Sequence, residues 1–455
     1  MTPQELAERA LAASTTDGCV ALVRTSAAAN LRWAGNTLTT NGVMHSTSVT
    51  VIAVAGASVG SVTRTATTAD EAVDVVRAAE ALARAADPAP DAQPLVAPDA
   101  DDATWGDIPA DTGIEVHAGV VEDLRAAFDV ARADGYDLYG YAEHTADTTY
   151  VASSTGLRRR HAQPGGVLEL TGRADGGARS AWAGQQLRTG ADSDIAGLAA
   201  DVRRRLEWSR RRVDLPPGRH ETVLPPTAVA DLMLYLLYAA SGLDAHEGRT
   251  VFSARGGGTR VGESLTPLAL TLRSDPSLRG WESAPFVVAS ASGRTLSVFD
   301  NGLPIGPTDW IRDGRLATLI TSRAEATTTA LPVAPAPGNV VLSGPGDASV
   351  DDLVAATSRG LLPTCLWYIR EVDPQTLLLT GLTRDGVFVV EGGEVIGVTR
   401  NFRFNESPVD LLARCVEVGA AVPTMPREFG ESTAATLMPP MRVPDFNMSS
   451  VSDAS

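Results

Sequence analysis

Apolar residues spaced three and four apart open the chain, so residues 3–14 predict an amphipathic helix, and Asp17-Gly18 turns it into the alternating stretch 19–25. Residues 31–40, with Gly35-Asn36 at their middle, read as a strand that pairs with the Val-, Ser- and Thr-rich stretch 45–54. An alanine-rich helix follows over 69–86, with Asp70 and Glu71 in its first turn, where the helix dipole favours negative charge. Composition then shifts to Pro, Ala and Asp over 87–112, which predicts an exposed connection without regular structure. A helix over 120–133 stops at Asp134-Gly135. Short strands follow over 136–143, 148–154 and 166–173, with a tight turn at 153–156 leading into 157–161. A helix over 194–210 closes this half.

Past Asp214-Leu215-Pro216-Pro217-Gly218 the pattern changes. A strand over 219–224 leads through Pro225-Pro226 into an apolar helix; proline suits a first helical turn because its missing N–H has no partner there anyway. From Gly242 onward the chain is strand-rich and punctuated by glycine, with strands expected over 268–273, 284–289 and 295–299 and a loop over 324–338. The clearest hairpin joins 386–391 to 394–400 through Gly392-Gly393, because a primed turn needs positive φ at both central residues. This predicts a mainly antiparallel C-terminal sheet. A short helix over 407–418 precedes a tail that is rich in Pro, Met and Ser from about 423 and is expected to be flexible. The fold class is α+β, with an N-terminal α/β domain over 1–215 and a mainly β domain over 216–455.

Composition sharpens this picture. At 455 residues the chain exceeds one ordinary core, which agrees with two domains. A net charge of -17 opposes any polyanion, so no nucleic-acid partner is expected. The basic clusters Arg158-Arg159-Arg160 and 203–212 read as solvated faces or domain contacts. Cys19, Cys365 and Cys415 are odd in number and widely spaced, which argues against a disulfide framework and for the cytoplasm. The first residues lack the pattern of a secretory signal. The longest apolar run, 228–240, carries Asp231 and is too short to cross a bilayer, so no membrane association is expected.

Candidate chemistry centres on His246-Glu247, which looks like half of a zinc-hydrolase motif. Such a helix needs two histidines one turn apart, yet the six histidines (His45, His117, His144, His161, His220 and His246) include no such pair. His246 and Glu247 with Cys365 as a third ligand remain the metal candidates, against the plainer reading of a loop histidine and a buried thiol. Ser253 and Ser264 lie in no nucleophile-elbow pattern. Arg255-Gly256-Gly257-Gly258-Thr259-Arg260 lacks the Gly-Lys-Ser/Thr ending of a phosphate loop and reads as a flexible or closely packed loop.

Four segments carry a family resemblance: PPGRHETVLPPTAVADLMLYL at 216–236, ASGLDAHEGR at 240–249, VGESLTPLALTLRSDP at 261–276 and DGVFVVEGGEVIGVTRNFRFNES at 385–407. With the looser YVASSTGLRRRH at 150–161, they extend the likeness over nearly the whole chain. The sequence resembles the TldD/TldE (PmbA-like) peptidase family, in its TldE/PmbA branch. That resemblance implies a barrel-like C-terminal domain and paired subunits, of which the TldD type carries zinc on a His-Glu-x-x-x-His helix plus a downstream cysteine. It also implies that the pair trims leader regions from precursor peptides and degrades unfolded polypeptides. Laid on that motif, His246-Glu247 is followed by Val251 where the second histidine would stand. The expectation is therefore a non-catalytic subunit with no metal or cofactor of its own, a zinc-bearing TldD-like partner (or a self-dimer) and a peptide substrate. Two other readings stay open: a self-sufficient hydrolase using His246, Glu247 and Cys365, and a homodimeric peptide-binding scaffold without catalysis.

Overall fold

The computed structural model describes residues 1–100, 102–430 and 435–452. In the N-terminal half, strands β1 (Gly18–Trp33), β2 (Leu38–Ala55), β3 (Ser58–Thr65), β4 (Tyr136–Ser153), β5 (Arg158–Ala174) and β6 (Arg179–Leu187) form one antiparallel sheet in the order β3-β2-β1-β4-β5-β6. The strands are longer than the sequence pattern suggests. Stretches 19–25 and 31–33 fuse because Arg24, Thr25 and Ser26 continue the ladder against Ser48, Thr47 and Ser46. Gly35-Asn36 is the turn after β1 and not the middle of a strand; φ is 58° and 59° at these residues. In the same way β4 runs unbroken through His144 to Asp147, which pair with both neighbours.

Helices α1 (Pro3–Ala13), α2 (Ala69–Ala85), α3 (Ala118–Asp134) and α4 (Ile195–Trp208) all cover one face of this sheet. Cys19, Ala21 and Val23 of β1 pack under α1 and α2, and Leu31 and Trp33 of the same strand face pack with α3 and α4. The opposite face supplies Val20, Leu22, Ile52 and Val151 to a cluster with Phe286, Val298 and Phe299 of the C-terminal half. Capping boxes at Thr2/Glu5 and Thr68/Glu71 satisfy the first backbone donors of α1 and α2.

In the C-terminal half the strands are β7 (Gly218–Leu224), β8 (Thr271–Ser274), β9 (Thr308–Arg312), β10 (Arg315–Leu316), β11 (Asn339–Ser343), β12 (Arg359–Asp373), β13 (Leu378–Glu391), β14 (Glu394–Thr399), β15 (Phe402–Glu406), β16 (Glu417–Val418), β17 (Val422–Thr424), β18 (Ala435–Met438) and β19 (Met441–Val451). Ring closure runs β12-β7-β19-β15-β13 and back to β12, which makes a closed barrel that is antiparallel except for β7–β12. A second sheet, β10-β9-β8-β11-β18-β17, stands beside it. The expected hairpin at Gly392-Gly393 is β13–β14. The helices are α5 (Pro226–Tyr238), α6 (Gly242–His246), α7 (Arg323–Thr329), α8 (Val350–Ala355) and α9 (Pro408–Arg414). Helix α5 is apolar except for Thr227, Asp231 and two tyrosines and is largely buried between barrel and sheet, packing on β12, β17, β18 and α9.

Several expectations are corrected here. Residues 324–338 were expected to be a loop, but Ser322 and Glu325 form a capping box that starts α7. Stretches 284–289 and 295–299 form no strand: Phe286 makes one isolated bridge to Pro304, and 298–300 is a short 3₁₀ turn. The tail expected to be flexible from about 423 instead supplies β18 and the barrel strand β19, apart from 431–434 and 453–455, which lie outside the described residues. Met441, Val443, Phe446 and Met448 of β19 are fully buried in the largest core, and Pro444-Asp445 is absorbed by a break in register between Val443 and Phe446.

Candidate functional site

Helix α5, strand β12, the loop that follows β17 and the N-terminal sheet meet at one place, around the buried Asp231. Asp231, the single charge in the apolar run of α5, is fully buried, and its Oδ1 accepts the backbone N–H of Glu428 at 3.0 Å. The Glu428 carboxylate accepts the N–H of Tyr368 at 2.9 Å and of Ile369 at 3.1 Å, where β12 breaks register and Tyr368 takes φ 50°. The Tyr235 hydroxyl donates to the Ile369 carbonyl at 2.6 Å, so α5 and the loop hold the same bulge from two sides.

Arg427 crosses to the other half of the chain. Its guanidinium lies between two indoles, 4.7 Å from the Trp182 ring centre and 4.6 Å from that of Trp367, and donates to Glu169 Oε2 at 2.8 Å. Trp182 Nε1 donates to the same oxygen at 3.0 Å. Asp231 Oδ2, Arg427 Nε and Trp367 Nε1 are buried without a hydrogen-bond partner among the described residues. A cavity of about 270 Å³ opens beside this cluster, lined among others by Trp182, Arg205, Trp208, Thr364 and Met425.

The residues singled out from the sequence are not brought together. His246 is exposed and is the last residue of α6, with Glu247 as its C-cap and Gly248 at φ 79°, so the helix stops where a zinc motif would have to continue. Glu247 pairs with Arg249, and the nearby ionic centre is instead the buried Asp244, held by Arg249 at 3.0 Å and Arg294 at 2.7 Å. Val251, at the second-histidine position, is buried in the core. Cys365 packs with Val167, Trp182 and Met425, its thiol donates to the Arg384 carbonyl at 3.6 Å, and burial pushes its titration far above the ordinary thiol range. Ser253 and Gly256-Gly257-Gly258 form a closed turn, with Ala254 N–H on the Gly258 carbonyl at 3.0 Å and φ of 96°, 109° and 79° at the three glycines. Of the basic clusters, Arg158 pairs with Glu8 at 2.6 Å and Arg204 with Asp351 of α8 at 2.8 Å.

Residues 217–450 match the sequence profile of the PmbA/TldA metallopeptidase C-terminal domain, which is more than half of the chain. The chain belongs to the PmbA/TldD metallopeptidase family. No curated protein sequence matches it. Among solved structures it is similar to TldE from Thermococcus kodakarensis, with 16% identity over 98% of this chain and 99% of that one and a TM-score of 0.78. It is also similar to two proteins described as candidate modulators of DNA gyrase. The one from Thermotoga maritima has 15% identity over 98% and 99% of the two chains with a TM-score of 0.75; that from Bacteroides thetaiotaomicron has 13% identity over 98% and 97% with a TM-score of 0.76. At these identities the likeness is one of fold.

Within the PmbA/TldD family, a metal centre needs converging deprotonated donors. The donors here do not fit one: an exposed imidazole at a helix end, a carboxylate held by Arg249, and a buried thiol that keeps its proton. Among the described residues no group of three or more His, Cys, Asp or Glu side chains is placed to hold a metal ion. The arrangement around Asp231, Arg427 and Glu428 ties the loop after β17 to α5, β12 and the N-terminal sheet. Sequence reading passes over Arg427, Glu428, Trp182 and Glu169, which are unremarkable singly; only the lone Asp231 in an apolar helix is a visible signal.

Burial pushes the Asp231 carboxyl well above the usual carboxylate range, against the Glu428 N–H bond that favours its charged form. The unfolded chain ionises this group near pH ~4, so its contribution to stability is fully present below that pH and is lost as pH rises toward the folded value. Asp231→Asn removes the dependence. Its melting temperature, relative to wild type, is expected to rise between pH 4 and pH 7, which scanning calorimetry at the two pH values measures. A relative fall would mean that Asp231 is folded as a charged partner of Arg427.

Proposed function

We propose that the chain is a TldE-like, non-catalytic subunit of a heteromeric zinc metallopeptidase that trims or degrades peptides in the cytoplasm. In this reading a TldD-like subunit brings the zinc, the general base and the nucleophilic water. The observation that carries the reading is the end of α6 at His246, with Glu247 turned to Arg249 and Val251 packed in the core. The fold likeness to TldE supports it. The division into domains 1–215 and 216–455 belongs to the same reading, supported by α4 ending at Trp208 and β7 beginning at Gly218. A peptide would lie against the subunit by main-chain hydrogen bonds to strand edges.

Mixing the purified chain with a family subunit that carries a His-Glu-x-x-x-His helix tests this. The expected result is peptide hydrolysis by the mixture and none by this chain alone, with zinc stoichiometric to the other subunit. His246→Ala is expected to leave the hydrolysis of the mixture unchanged. Zinc bound by this chain alone and lost in His246→Ala, together with hydrolysis in the absence of any partner, would overturn the proposal.

A further inference from the structure

Most of the basic run at 203–212 is paired with carboxylates. Arg203 meets Asp134 at 2.5 Å, Arg204 meets Asp351 at 2.8 Å, Arg205 meets Asp201 at 3.7 Å and Arg210 meets Glu207 at 2.7 Å. At Arg211 and Arg212 it is the main chain that is held. The Val398 N–H of β14 donates to the Arg211 carbonyl at 2.8 Å, and the Val213 N–H donates to the Val398 carbonyl at 2.9 Å. The two guanidiniums have no ion pair among the described residues. Backbone bonds join the halves of the chain here, and the Arg212 side chain is left for something else.

Arg212 lines a cavity of about 320 Å³ between the two halves, with Arg179 and Ser180 of β6 on one wall and Thr399 and Arg400 at the end of β14 on another. No Asp or Glu among the described residues lines it, in a chain whose 55 acidic residues outnumber its 38 basic ones. Two carboxylates beside the cavity are engaged: Asp175 accepts from Arg179 Nε at 2.6 Å, and Asp385 accepts from the Ser180 hydroxyl at 3.0 Å. Arg400, like Arg212, is exposed and has no ion pair among the described residues. The Thr399 hydroxyl oxygen is buried without a hydrogen-bond partner among them.

We propose that this cavity binds a phosphate dianion, either free phosphate or the phosphoryl group of a small phosphomonoester. Two guanidiniums without acidic partners put two positive charges on a concave wall; a dianion matches them, whereas a carboxylate leaves one over. The planar fork of arginine suits phosphate oxygens, which it meets through paired N–H bonds. The Thr399 O–H adds a donor, and a partner for it relieves the cost of burying it unpaired. A volume of this size lies at the lower end of small-molecule sites, about 300–1,000 Å³, which favour interfaces of this kind. Arginines that merely complement the C-terminal end of α4 would explain Arg179, which donates to the Leu206 carbonyl at 2.6 Å. They would not explain Arg400, which comes from the barrel, or a cavity wall free of acids.

Isothermal titration calorimetry of the full chain in a phosphate-free, low-salt buffer tests the proposal, with inorganic phosphate, glycerol 3-phosphate, glycerol and acetate as probes. The expected result is saturable binding of phosphate and of glycerol 3-phosphate at a single site, with no binding of glycerol or acetate at the same concentrations. Tighter binding of glycerol 3-phosphate supports a phosphomonoester as the source, and tighter binding of inorganic phosphate supports the free ion. Arg212→Ala and Arg400→Ala are each expected to weaken phosphate binding about tenfold or more, with an unchanged melting temperature because both side chains are exposed. Thr399→Val is expected to weaken it less, and Arg211→Ala, outside the cavity, to leave it unchanged. Absence of saturable phosphate binding overturns the proposal. So does acetate binding as tight as phosphate binding, phosphate binding that survives the double variant Arg212→Ala/Arg400→Ala, or a loss in Arg211→Ala equal to that in Arg212→Ala. These outcomes do not depend on whether the chain supports peptide hydrolysis.

Discussion

A chain truncated after Pro440 is expected to lose the C-terminal barrel altogether. Strand β19 stands between β7 and β15 and is hydrogen-bonded to both, so its removal opens the ring and leaves two strand edges unpaired. It also removes Met441, Val443, Phe446 and Met448 from the largest core. At roughly 1.5–3 kcal/mol for each fully buried side chain, the loss is on the order of 8 kcal/mol. That is comparable to the whole stability of an ordinary domain, about 5–15 kcal/mol. Soluble yield, far-ultraviolet circular dichroism and a thermal scan measure the outcome: aggregation, or a soluble product without the cooperative transition of the C-terminal half. A truncated chain that melts within about 5 °C of the full-length protein would show that β19 is not required to close the barrel.

Arg427→Ala is expected to cost about 3 kcal/mol. The guanidinium is stacked between Trp182 and Trp367 and bonded to Glu169, so its removal deletes two cation–π contacts and leaves a partly buried carboxylate with only the Trp182 indole. Desolvated cation–π contacts contribute about 1–2 kcal/mol each, and an orphaned carboxylate adds to the loss. Arg427→Lys keeps the charge and loses the planar stack, so it should fall between alanine and wild type. Urea denaturation followed by tryptophan fluorescence reads both variants, because two of the reporting indoles form the sandwich. A shift below about 0.5 kcal/mol for Arg427→Ala, the size of an ordinary surface substitution, would mean that the guanidinium sandwich adds little to the joining of the halves.

Much of the fold is legible in the residues, for identifiable reasons. Helices α1, α2, α3 and α4 announce themselves through apolar spacing and capping residues, and β13–β14 through Gly392-Gly393. The barrel is not legible locally, because its closing partners lie far apart: β7 at 218–224 meets β12 at 359–373 and β19 at 441–451. Strand β19 hides behind Pro444 and the methionines, whose strand character comes from the neighbours that enclose them. The length of β1 and β4 is set likewise by partners, which carry polar residues such as Arg24 and Asp147 through the ladder. At the candidate site, His246-Glu247 is conspicuous as a dipeptide but sits at the end of a helix of one turn, a stop dictated by Gly248. The Asp231 cluster draws its members from α5, β5, β6, β12 and the loop after β17, and no spacing in the sequence connects them.

Ring closure through β19 also fixes an order of events during synthesis. Strand β7 ends at Leu224 and β19 at Val451, so at ~5–20 residues per second the nascent chain carries an open β7 edge and an uncovered α5 for ~10–45 s. The N-terminal sheet, whose last strand ends at Leu187, is complete in sequence well before that interval begins. During that interval α5 lacks β17, β18 and α9, the elements that cover it in the finished chain, and the N-terminal sheet lacks Phe286, Val298 and Phe299, which pack on its other face.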